Sequence, residues 1–268
     1  MMMNFLFNQA SVWAIGLGFF VVLAIAAELG FRLQQWLDHR QVRTENKGGT
    51  GQILGVSLGL MSLLLSFTFS LAVNRYDTRR ALVLEEANAI GTAWQQAQIL
   101  PEPHRTPLVR QLRDYAQVRI GFFDAGADAA KLAEINRRTG SLQSQLWRET
   151  SRVIDALPNH TQSGALMNTI GHMFDVAPAR KIALAARIPS AVLTGLSLLL
   201  VASALMLGAV LGGNGRRHAL LSLLLLALLA STITLIVDID RPRQDHIRVD
   251  QAPLHDLRQA MLAVSGNS

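Results

Sequence analysis

The chain has 268 residues, half of them hydrophobic and only 16 % charged, with a formal net charge of +6 and no cysteine. So apolar a composition excludes an ordinary soluble globular protein, and the missing cysteine excludes a disulfide framework, a thiol nucleophile and a thiolate metal site. The positive charge fits Arg and Lys flanking membrane segments and anionic lipid, so no nucleic acid is called for.

The first charge-free run is Ala10 to Ala27, closed by Glu28 and Arg32. Its leader, MMMNFLFNQAS, has no Lys or Arg, which predicts a retained helix rather than a signal peptide. Glu28 and Arg32 are four residues apart, the spacing of a helical ion pair near the membrane interface. A basic loop, Arg32 to Thr50, follows.

The second run, Gly51 to Asn74, has 24 residues and no charge. A bilayer needs roughly 20. Gly51, Gly55, Gly59, Ser62, Ser66, Ser70 and Asn74 recur every three or four residues and so share one helical face. Gly51, Gly55 and Gly59 form small-x-x-x-small steps, which predict helix packing. Ser62, Ser66, Ser70 and Asn74 predict a water-lined path, and the two readings are compatible at opposite ends of the stripe. Phe67 and Phe69 lie off the stripe and are candidates for an apolar gate, or simply for lipid or core contact. RYDTRR follows at once; Arg75, Asp77 and Arg79 are candidate charges at a pore mouth that would concentrate anions, or an interfacial anchor.

No stop signal separates Asn74 from Arg75, so this helix is expected to continue to about Leu100, where Pro101 and Pro103 end it. Further helices are predicted over about Thr106–Phe123, Asp128–Leu157 and Thr161–Phe174, the last ending before Pro178. Two more apolar runs, Ile188 to Gly215 and His218 to Val237, are joined by the tight turn GGNGRR as an antiparallel hairpin. After them, DIDRPRQDHIRVD mixes acids with Arg241, Arg243 and Arg248; it lacks EF-hand spacing and predicts salt bridges rather than a calcium loop.

The expected fold is all-α and integral to the membrane. It has four spanning helices, with a helical bundle inserted between the second and third. The expected divisions are residues 1–74, 75–187, 188–238 and a tail over 239–268. The seven histidines are scattered, and no nucleophile elbow or phosphate loop occurs, so neither an enzyme, a metal centre nor a cofactor is implied.

Three stretches carry a family resemblance: SFTFSLAVNRYDTRRALVLEEANAIGTAW (Ser66 to Trp94), ELGFRL (Glu28 to Leu33) and DIDRPRQDHIRV (Asp238 to Val249). They resemble the bacterial bestrophin-like domain family of membrane proteins. That family is distantly similar to the bestrophins, anion or cation channels that are usually pentamers, whose second span carries apolar neck residues and runs into a helix containing Tyr-Asp-Arg. The resemblance implies an ion channel of the bacterial inner membrane. Its second span would line the pore, and its partners would be the bilayer, further copies of the chain and inorganic ions. The alternative is a membrane sensor or interaction protein whose bundle binds a ligand or partner. The resemblance implies a cytoplasmic bundle. The short-loop charges Arg32, Arg40, Arg43, Lys47, Arg216 and Arg217 argue for an extracytoplasmic one by the positive-inside rule.

Overall fold

The computed structural model describes residues 11–40, 47–126, 128–157, 161–213, 218–241 and 247–265. The charges of Arg43, Arg216 and Arg217 and the acid Asp245 lie outside the described residues. The described residues form helices joined by short connections, with no strand among them. Among the described residues, four helices are long and apolar enough to cross a membrane.

The chain divides into two compact units. The first contains α1 (Val12–His39), the part of α2 (Lys47–Gln98) up to Asn74, α6 (Ser190–Gly213) and α7 (Ala219–Asp240). Here α1 packs chiefly on α6 and also on α7. Glycine makes this approach close enough to be backbone on backbone. A Cβ at Gly30 would overlap the Leu205 carbonyl, one at Gly208 would overlap the Ala27 carbonyl, and one at Gly212 would lie 2.6 Å from the Phe31 oxygen. Lipid gives apolar side chains no reason to prefer one another, so such close contact is what holds membrane helices together. Asp240, at the end of α7, accepts the Ile188 N–H on both carboxylate oxygens at 3.2 Å, just before α6 begins. Glu28 accepts from Arg32 at 2.7 Å, the pair expected from their spacing.

The second unit contains α2 from Arg75 onward, α3 (Arg105–Asp124), α4 (Ala129–Ala156), α5 (Thr161–Ala185) and the C-terminal α8 (Ala252–Ser265). Its core takes Ile90, Ala93 and Ala97 from α2, Leu108, Leu112 and Tyr115 from α3, and Leu146 and Val153 from α4. Leu166, Ile170 and Met173 come from α5, and Leu254 and Met261 from α8. Gly91 lets Leu257 approach, with 3.2 Å between a built Cβ and the Leu257 Cδ1. The side chain of Asp128 starts α4 by accepting the N–H groups of Ala130 and Lys131.

One expectation changes here. The helix starting at Thr161 does not end before Pro178 but runs to Ala185 with the proline inside it. Met173, Val176, Ala177 and Leu184 are buried along it, and that burial outweighs the single backbone hydrogen bond a proline removes. From Arg248 the tail belongs to the second unit, and its helix α8 packs on α3.

Candidate functional site

The helix α2 has 52 residues, about 78 Å at 1.5 Å per residue, and its two faces differ along its membrane portion. Leu54, Met61, Leu65, Thr68 and Ala72 form one buried line. The Thr68 hydroxyl on that line donates back to the Leu64 carbonyl at 2.7 Å, and Ser57 shares a 2.8 Å hydrogen bond with Ser203 of α6. Roughly opposite, Gly51, Gly55, Gly59, Ser62, Ser66, Ser70 and Asn74 are all exposed. A Cβ built on any of the three glycines meets nothing within 4 Å. Among the described residues the hydroxyls of Ser62, Ser66 and Ser70 have no hydrogen-bond partner. Among the described residues, the stripe therefore packs on no other helix of its own chain.

Phe67 and Phe69 are both exposed, and at 3.6 residues per turn they fall on either flank of the stripe. Past Asn74 the same spacing continues through Asp77, Ala81, Glu85, Asn88 and Thr92, every one of them exposed. The three candidate mouth charges are placed differently. Asp77 is exposed and Arg75 is half-buried. Arg79 is 1 % exposed, and its guanidinium donates to the carbonyls of Ala183 at 3.1 Å and Ala186 at 2.7 Å. Those carbonyls end α5, where the helix dipole is negative and orphan acceptors need donors. In this chain Arg79 is a helix cap, and its charge does not reach solvent.

One turn beyond Ala81, Glu85 pairs with His172 of α5 at 3.4 Å. The two side chains stand in an open groove of about 510 Å³ with Asn88, Thr92 and Thr169. Beneath it, Glu86 turns inward. Its carboxylate accepts from Arg119 of α3 at 2.5 Å on one oxygen and from Arg180 of α5 on the other, and Arg180 also donates to Gln251. Glu86, Arg119 and Arg180 are all at most 2 % exposed. The sequence signal for this cluster was present: Arg119 lies in the apolar run Val118 to Phe123, at a position the helical phase turns inward.

The sequence matches the Bestrophin-like domain over residues 21–254. The chain belongs to the bestrophin-like domain family. No curated protein matches it. Its fold is similar to crystal structures of a bacterial bestrophin homologue from Klebsiella pneumoniae. One variant matches at 15 % identity with a TM-score of 0.71, covering 94 % of this chain and 99 % of that one. Another gives 16 % identity and 0.74 over 96 % and 99 %. The form phased with zinc gives 16 % and 0.70 over 93 % and 98 %. Membership in the family and four apolar helices make the chain an integral membrane protein of the bestrophin kind.

Proposed function

We propose that this chain is the subunit of an oligomeric ion channel whose pore is lined by the exposed stripe of α2. The observation that carries the reading is a line of small and hydroxyl residues, Gly51 to Asn74, left uncovered while the opposite face of the same helix is buried. In a bilayer such a face must meet another protein surface or water, since lipid satisfies no hydroxyl. One helix encloses no path, so copies of the chain must surround it. Ser62, Ser66, Ser70 and Asn74 line the path, Phe67 and Phe69 narrow it, and Gly51, Gly55 and Gly59 permit close approach of a second copy at the other end.

The exposed charges on the stripe's side of the helix are Asp77, Arg80 and Glu85, while the charge of Arg79 is held by backbone carbonyls. Arg75, half-buried, stays at the mouth as a counterweight. Rings of carboxylate favour cations, so Asp77 and Glu85 pull the selectivity toward cations, against Arg75 and Arg80.

The test is ion flux through purified protein in liposomes, with cation and anion gradients measured separately. Ser66→Trp and Ser70→Trp should each abolish flux while leaving a folded oligomer. Asp77→Lys with Glu85→Lys should shift the selectivity toward anions. Undiminished flux in both tryptophan variants would remove the stripe from the pore. No flux from a folded wild-type oligomer would favour a sensor whose bundle binds a ligand or partner.

A further inference from the structure

The charged side chains buried in the second unit, among the described residues, are Arg79, Glu86, Arg119 and Arg180. Arg79 is matched by the carbonyls that end α5. The other three form the cluster around Glu86, which holds two guanidinium groups and one carboxylate. Arginine does not lose its proton in a protein, so the cluster carries one positive charge in excess. Its hydrogen bonding is also incomplete. Both Glu86 oxygens are engaged, and the Gln251 carbonyl oxygen is taken by Arg180. The Gln251 amide donates to the Val249 carbonyl at 2.8 Å. Arg119 Nη2 and Arg180 Nε are buried with no partner. The Phe122 ring lies against both cations, 4.7 Å from the Arg119 guanidinium carbon and 5.8 Å from that of Arg180. A ring face supplies partial negative charge but accepts no in-plane N–H bond. An uncompensated buried ion costs several kcal/mol. A water would satisfy the N–H groups and leave the charge.

We infer that the bundle binds a small monovalent anion, such as chloride, at the unpartnered N–H groups of Arg119 Nη2 and Arg180 Nε. The anion completes the charge of the cluster as a resident structural ion. The site is buried and separate from the stripe, so it stands independently of any conduction.

Thermal unfolding of the full-length protein in detergent tests this, at one ionic strength, in sodium chloride against sodium gluconate, whose anion is too large to enter. The expected result is a melting temperature that rises saturably with chloride, as ligand linkage requires. Arg119→Met leaves one cation and one carboxylate and should flatten that dependence, a readout that simple loss of packing does not produce. Equal melting temperatures in the two salts for the wild type, or an unchanged chloride increment in Arg119→Met, would overturn the inference. Should Arg119→Met fail to fold, wild-type crystals grown in sodium bromide decide it. An anomalous peak within hydrogen-bonding reach of both nitrogens supports the site, and its absence there refutes it.

Discussion

Glu86 is the acceptor on which two buried guanidinium groups converge, and it ties α2 to α3 and α5. Glu86→Gln keeps the shape and removes the charge, leaving both arginines without their carboxylate partner. Breaking a buried ion pair in this way costs about 3–5 kcal/mol, and chemical denaturation should register that loss. Tyr115, in the same core, has its phenol pushed up to about 12, first by burial and then by the nearby Glu86 carboxylate, against an opposing pull from Arg119. An unfolded chain loses this proton near pH 10. The folded protein holds it higher, so its contribution is complete below about pH 10 and is lost as pH rises toward 12. Alkaline denaturation should therefore steepen over that window, and Tyr115→Phe should remove about 2–3 kcal/mol of the decline. If the wild type and Tyr115→Phe decline in parallel, the phenol is not the group responsible.

At the level of the element, α5 carries Pro178 in its interior, exposed to solvent. Pro178→Ala restores the N–H of a helical position without disturbing the core, and should raise stability by as much as about 3 kcal/mol. A lower melting temperature for this variant would mean that the backbone conformation set by the proline is itself needed. The sequence showed this proline but not that the helix survives it, because the burial of Val176, Ala177 and Leu184 is a tertiary quantity. The same limit applies to glycine. Small-x-x-x-small spacing is visible at Gly51, Gly55 and Gly59 and equally at Ala204, Gly208 and Gly212. Spacing does not say which set meets a neighbour. Within the chain it is the second set, so Gly208→Val should separate α1 from α6 and abolish the folded monomer. Gly55→Ala should leave the fold intact and alter only assembly or flux. Loss of the fold in Gly55→Ala would place a neighbour where the chain has open space.

For the molecule as a whole, the spanning helices were readable because a bilayer imposes a length and excludes charge, and both constraints are local in sequence. The extension of α2 past Asn74 was readable for the same reason: nothing in RYDTRR stops a helix. The division of labour among charges was not. Asp77, Arg79, Glu85 and Glu86 lie within ten residues, yet one caps α5, one enters the buried cluster and two stay in water. Those fates depend on which helix arrives beside each residue, and the partners lie roughly 30 to 100 positions away. The stripe could be recognised as a face, but whether its own chain would cover it required the positions of α6 and α7.

The hydrogen bond from Arg180 to Gln251 joins residues 71 positions apart, and α6 and α7 both fall between them. A ribosome makes Glu86 and both buried arginines well before it makes Gln251. The second unit therefore waits, half-built, while the last two apolar helices pass to the insertion machinery. Its buried arginines gain their final protein partner only after both of those helices have been made. Folding of the bundle is in this way a late event in biogenesis. A chain interrupted between Arg241 and Gln251 would insert all four spans and still leave Arg180 Nη2 without its amide acceptor.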